Sequence, residues 1–269
     1  MNTLDRLIES ANENRTILCF GIDPVVSRIT KEPEEEVEEL ITDYFCEITE
    51  TLLEENAISA IKPNYAFFAQ YGFDGLHALG NIIEEFKEET PVIIDVKRGD
   101  IGKTSEAYAK EAYDFWGADA ATINPYMGED SVRPFLRDDK LAYLLCRTSN
   151  KGAKDFQELK CGEGYLYEKV LEKAIEWKCG IVVGATSDAI IKIVETTKNE
   201  VPMLIPGIGA QGGDLGMVME VIKENAAIHR INASSSIAYA HEKHGGDPAE
   251  AAAKEAEKLN SEIRKYFEE

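Results

Sequence analysis

The sequence predicts a closed parallel (β/α)8 (TIM) barrel that forms a single domain over residues 1–269. Eight short apolar runs rich in β-branched residues alternate with amphipathic helical stretches, the pattern of repeated βα units. Nearly every run ends in a polar or turn cluster, as expected where the C-terminal ends of barrel strands converge on one site. A chain of 269 residues that is 44% hydrophobic can bury one large core, and such barrels have roughly 250 residues.

The first run, Thr16 to Asp23, closes on Gly21-Ile22-Asp23-Pro24. An aspartate before proline either caps the following turn or faces a ligand, and local sequence leaves both open. The second, Ile58 to Asn64, ends in Lys62-Pro63-Asn64. Lys62 is either a snorkelling surface lysine or a second cation on the site's rim, and its position opposite Asp95 in barrel order favours the rim. The third, Val92 to Lys97, leads into Asp95-Val96-Lys97-Arg98-Gly99-Asp100. Alternation along a strand directs Asp95 and Lys97 to one face, about 7 Å apart, and Gly99 lets the chain turn and bring Asp100 round. Paired buried charges contribute little net stability, and three ionised groups at one strand end are costly to assemble, so the cluster reads as functional.

The fourth run, Ala120 to Asn124, ends in Asn124-Pro125-Tyr126, the fifth, Ala142 to Thr148, in Thr148-Ser149-Asn150, and the sixth, Gly180 to Ala185, in Ala185-Thr186-Ser187. The seventh, Pro202 to Gly207, enters the glycine-rich loop Pro206-Gly207-Ile208-Gly209-Ala210-Gln211-Gly212-Gly213-Asp214. Loops after strands seven and eight are the usual phosphate seat of this fold, since backbone N–H groups can surround an oxyanion there; that reading is preferred to a plain flexible turn. The eighth run, Ala227 to Asn232, precedes a serine cluster, and the Ala/Glu/Lys-rich stretch Pro248 to Phe267 reads as a closing amphipathic helix. Lys151 to Glu163 has the Gly and Lys content of a lid.

A formal charge of −21 argues against nucleic acid or an anionic membrane as partner, because both demand a basic face. Much of that charge lies in solvated runs such as Glu84-Glu85-Phe86-Lys87-Glu88-Glu89. Neither a signal-peptide nor a membrane-length apolar stretch is present, so a soluble, cytoplasmic protein is expected. Five scattered cysteines without Cys-x-x-Cys read as small buried residues in a reducing compartment. Four histidines at 77, 229, 241 and 244 have no chelating spacing, and no metal is expected.

The charge cluster extends to Asp95-Val96-Lys97-Arg98-Gly99-Asp100-Ile101-Gly102-Lys103-Thr104. Asn124-Pro125-Tyr126-Met127-Gly128-Glu129-Asp130-Ser131, Thr148-Ser149-Asn150 and the Pro206 to Asp214 loop follow in order. In these four segments the chain resembles the orotidine 5'-phosphate decarboxylase family, in its longer branch, from strand one to strand eight. The resemblance implies decarboxylation of orotidine 5'-monophosphate to UMP, the last step of de novo pyrimidine biosynthesis, with neither metal nor organic cofactor. It implies that Lys97 protonates carbon 6 as carbon dioxide leaves, that Asp95 lies against the substrate carboxylate, and that Lys62 and Asp100 complete an alternating charge array. Asp23 and Lys62 would contact the ribose hydroxyls, Ser149 the pyrimidine edge, and Gln211, Ser234 and the residue at 235 the phosphate end. Asp100 and Thr104 would reach the neighbouring subunit's site in a homodimer.

One position departs from the family. Where it has Asn-Ser-Ser-Arg-Gly-Ile, with the arginine gripping phosphate, this chain reads Asn232-Ala233-Ser234-Ser235-Ser236-Ile237. A charge-assisted contact contributes roughly 1.5–3 kcal/mol, so its loss is expected to weaken binding about tenfold to a hundredfold unless something substitutes. Arg230 is a conceivable substitute, although its position inside strand eight suits a structural salt bridge better. Two other functions are compatible with parts of the pattern. Magnesium-dependent decarboxylases of keto-sugar phosphates share the Asp-x-Lys-x-x-Asp core, but normally carry an acid at the end of strand two, where this chain has Lys62. A degenerate barrel that only binds nucleotide would explain Ser235, but not the retention of all four charged residues.

Overall fold

A computed structural model describes residues 1–30, 36–185, 188–208 and 213–267. Eight parallel strands form one sheet: β1 Leu18–Ile22, β2 Ala60–Pro63, β3 Ile93–Arg98, β4 Ala120–Ile123, β5 Leu141–Arg147, β6 Gly180–Val183, β7 Met203–Pro206 and β8 Arg230–Ala233. Each of the eight predicted runs overlaps one of them; β3, β5 and β8 extend one residue beyond their runs. Their order is β2-β1-β8-β7-β6-β5-β4-β3, and bridges of Ile61 with Val92 and Asn64 with Asp95 join the two ends into a barrel. Helices such as Val37–Glu54, Gly72–Phe86, Leu166–Glu176 and Pro248–Ile263 surround it and bury their apolar stripes against the sheet's outer face.

The helix Thr3–Asn14 lies across the N-terminal end of the barrel. Its Leu7 joins Cys19, Ala60, Ile93, Ala120, Tyr143, Val182 and Leu204 in a separate inward-facing cluster. These residues form one interior layer, and the two-residue period of a strand dictates what lies above it. Two residues further along the same strands come Lys62, Asp95, Thr122 and Leu145, all at the mouth of the barrel. A mainly apolar layer therefore supports a mainly polar one.

The closing helix runs from Pro248 to Ile263 and continues as a 3-10 turn over Arg264–Tyr266. Asp247 accepts a hydrogen bond from the backbone N–H of Glu250, and Pro248 occupies the first turn, where its missing N–H costs nothing. Cys19, Cys146 and Cys179 are buried as expected, whereas Cys46 and Cys161 are half-buried; all five are free thiols. Among the described residues no helix is long and apolar enough to cross a membrane.

Candidate active site

A cleft of about 450 Å³ opens at the C-terminal mouth of the barrel. Asp23, Lys62, Asp95, Lys97, Ser149, Ser234 and Ser235, taken from five strand ends, all line it. At its centre is Asp95, a buried carboxylate. The Lys62 ammonium donates to its Oδ2 at 3.1 Å, the Lys97 ammonium to its Oδ1 at 2.5 Å, and the Thr122 hydroxyl to the same Oδ1 at 2.8 Å.

Burial alone would raise the Asp95 pKa, but the charges of Lys62 and Lys97 and two hydrogen bonds outweigh it and hold the carboxyl far below the usual range. Burial would likewise discharge Lys62; Asp95 first, then Asp23, keep it protonated with a raised pKa. The two lysines differ in access to solvent. The Lys62 side chain is 5% exposed, while that of Lys97 is 50% exposed and faces the opening. Lys62 therefore fixes the carboxylate from beneath, and Lys97 turns its half-exposed side chain to the cleft.

Alternation along a regular strand does not explain how Lys97 gets there. The register of β3 on β4 shifts between Ile94 and Arg98, and Lys97 has φ +45°, a left-handed conformation unusual for a side-chain-bearing residue. Its backbone N–H donates to the Thr122 hydroxyl at 3.0 Å. Thr122 thus holds both the backbone of one charged residue and the carboxylate of the other. Next to Lys97, Arg98 forms a bidentate pair with Glu111 and lies 4.6 Å from the ring centres of both Tyr65 and Tyr108. This clamp anchors the bulge on its outer side.

Asp23 Oδ1 and Asn232 Oδ1 are buried and find no hydrogen-bond partner among the described residues. Orphaned acceptors at a cleft are costly unless a ligand donor meets them, and sugar hydroxyls are such donors. Two glycines allow this wall to close up. A Cβ at Gly21 would sit 1.9 Å from Ser234 Oγ, and one at Gly184 would sit 2.6 Å from Ser149 Cα.

Asp100 and Thr104 do not line this cleft. Asp100 accepts from the N–H of Ile101 at 2.7 Å, and Thr104 is exposed on the helix Gly102–Lys110. Gln211 lies outside the described residues. Arg230 is neither a phosphate ligand nor half of a salt bridge among the described residues. It is completely buried in the barrel floor, donating to the carbonyls of Ala227, His229 and Leu7, because its strand position is one layer below Asn232. Sequence reading missed Thr122 and Gln157, and held Asn232 only as part of the polar cluster that ends strand eight. Counting back two from Asn124 would have found Thr122. Gln157 had no signal: it reaches the cleft from the Lys151 to Glu163 stretch, exchanging hydrogen bonds with the backbone and hydroxyl of Thr148 at 2.8 and 2.9 Å.

Residues 16–260 match the model of the Orotidine 5'-phosphate decarboxylase / HUMPS family. An orotidine 5'-phosphate decarboxylase of Herpetosiphon aurantiacus is 40% identical over 92% of this chain and 92% of its own length. Leishmania donovani OMP decarboxylase superposes with a TM-score of 0.80 at 35% identity, over 98% of this chain and 99% of that one. Leishmania donovani UMP synthase gives 0.82 and 36% over 98% of this chain, which spans 57% of that longer protein.

Proposed function

We propose that this chain, which belongs to the orotidine 5'-phosphate decarboxylase family and converts orotidine 5'-monophosphate to UMP in pyrimidine biosynthesis, uses Lys97 as the proton donor to carbon 6. The observation that carries the reading is the half-exposed Lys97 ammonium, 2.5 Å from a buried carboxylate and at the mouth of the cleft. Loss of carbon dioxide leaves a localised carbanion that the pyrimidine ring does not delocalise. An ammonium already fixed in position stabilises that charge without reorganisation and then quenches it with a proton. Asp95 orients the ammonium and lies against the departing carboxylate, while Lys62 keeps Asp95 ionised.

Asp23 and Lys62 bind the ribose hydroxyls in this reading, and the unpartnered Asp23 oxygen supports it. Ser149 takes the pyrimidine edge; Gln211, Ser234 and Ser235 lie at the phosphate end. Asp100 and Thr104 serve the site of a second subunit. The exposed apolar side chains of Ile101, Tyr126 and Met127 beside them support burial in a homodimer. No nucleic acid or membrane takes part, and the enzyme works in the cytoplasm.

The competing reading is a magnesium-dependent decarboxylase of keto-sugar phosphates, and Lys62 bears on it. An ammonium 3.1 Å from Asp95 occupies the strand-two position where a magnesium-dependent keto-sugar phosphate decarboxylase needs an acid. Ultraviolet absorbance of orotidine 5'-monophosphate mixed with the purified protein and EDTA tests the reading. Conversion is expected with the chelator present and lost in Lys97→Ala. Activity that dies with EDTA, or survives the substitution, refutes it. For the dimer, mixing inactive Lys97→Ala and Asp100→Ala subunits should restore activity at up to about a quarter of the sites, because each mixed dimer regains one intact site. Absence of recovery refutes shared sites.

A further inference from the structure

Among the described residues, no cation lines the phosphate end of the cleft. Ser234, Ser235, Ser236 and Gly207 line it, and residues 209–212 read Gly-Ala-Gln-Gly, so the adjoining loop brings no cation either. The two lysines of the cleft are held by Asp95, and Arg230 is in the floor. A phosphate dianion carried into a protein of net charge −21 needs a local cation.

Behind Ser235 and Ser236 is a second cavity of about 540 Å³, and those two serines belong to the walls of both. It holds Arg28, from the short helix Val26–Ile29 that follows β1. The guanidinium lies 3.8 Å from the ring centre of Tyr239 and pairs with Glu242 through Nε at 2.8 Å and Nη2 at 2.6 Å. Tyr239 is itself tied to the ribose side of the cleft. Its hydroxyl donates to the carbonyl of Asp23 at 3.1 Å and accepts from the N–H of Val25 at 2.8 Å. The cavity's other bases, Lys243 and Lys258, each lie 3.8 Å from a single carboxylate, Glu255. Of these three bases Arg28 rests on an aromatic platform joined to the substrate loop, and its partner Glu242 is 44% exposed, so the carboxylate can swing into solvent when another anion takes its place.

We propose that Arg28 is the phosphate-binding cation of this enzyme, exchanging Glu242 for the substrate phosphate across the low wall that Ser235 and Ser236 leave in place of the family's arginine. The guanidinium fork suits a phosphate as well as a carboxylate, and serine at 235 removes the side chain that would separate the two cavities. The proposal rests on the function assigned above, and its test separates the two. Turnover of orotidine 5'-monophosphate by the unaltered chain reports on the function; the ratio of UMP to uridine affinity, measured calorimetrically, reports on Arg28.

Arg28→Gln should weaken UMP about tenfold to a hundredfold and leave uridine within about twofold, since only UMP carries the charged group. Arg28→Lys should retain part of the affinity. Glu242→Gln, which frees the guanidinium, should leave UMP binding unchanged or tighter. Two results overturn the proposal: UMP affinity within about twofold in Arg28→Gln, or an equal loss in Arg28→Gln and Glu242→Gln, which would make the pair a structural brace only.

Discussion

Asp95→Asn should reverse the alkaline dependence of stability as well as stop catalysis. In the native chain the buried Lys62 ammonium is kept charged chiefly by Asp95, so its pKa lies above the ordinary lysine value. A raised lysine pKa contributes stability that is fully present below about pH 10.4 and is lost as pH rises through the folded value. Asparagine has nearly the same shape but no charge. Lys62, with 5% of its side chain exposed, would then be a buried cation with only Asp23 nearby, and breaking such a pair costs about 3–5 kcal/mol. Lys97 adds little to that cost, because its half-exposed ammonium is solvated.

With Asp95 gone, burial dominates and pulls the folded Lys62 pKa below the unfolded value. The unfolded chain then binds more protons, and stability rises with pH between the two values. Urea denaturation at pH 7 and pH 9.5 measures both effects: a loss of about 3 kcal/mol at pH 7, partly recovered at pH 9.5, while the native chain shows no such recovery. A variant within about 1 kcal/mol of the native chain at both pH values would show that Lys62 is not held by Asp95, and the description of the site's electrostatics would fall.

Three further outcomes follow from named contacts. Thr122→Val leaves the Lys97 N–H without its acceptor and Asp95 without one donor, so it should cost about 1–3 kcal/mol of stability and lower kcat more than it raises KM; unchanged kinetics would refute a positioning role. His229 is buried and neutral, its Nδ1 accepting from the N–H of Met203 and its Nε2 facing Asn199 Oδ1, and burial first, then Arg230, lowers its pKa to about 3. Its stabilisation is complete above about pH 6.5 and falls by about 1.4 kcal/mol per unit on acidification; His229→Gln should remove about 2 kcal/mol of the loss between pH 6.5 and 5, and parallel curves would refute this. Ser235→Arg, placed in Arg28→Gln protein, should restore a low KM for orotidine 5'-monophosphate, whereas no recovery would mean that position 235 does not face phosphate.

The fold was legible because barrel strands and helices announce themselves locally. Short β-branched runs with turn residues at their ends are properties of neighbouring residues, and all eight runs became strands. The chemistry at the site was equally legible where its residues are contiguous. Asp95 and Lys97 lie two apart, and a charged cluster at a strand end needs no knowledge of distant residues to be noticed. The resemblance then supplied roles that spacing alone could not.

What the sequence could not determine is how separate strand ends meet. That Thr122 on β4 holds both Asp95 and Lys97 depends on the register of two strands, and the left-handed turn at Lys97 depends on a bulge in that register. On sequence Arg230 suits a structural salt bridge better than phosphate; only the closed barrel shows it one layer too deep for the cleft and held by backbone carbonyls instead. Arg28 and Ser235 are separated by more than two hundred positions and share a cavity because β1 and β8 are neighbours in the ring. Local sequence determines which element each residue enters, since propensity and periodicity act over a few bonds. Which side chains then touch is decided by barrel closure, a long-range packing result that one strand's residues do not encode alone.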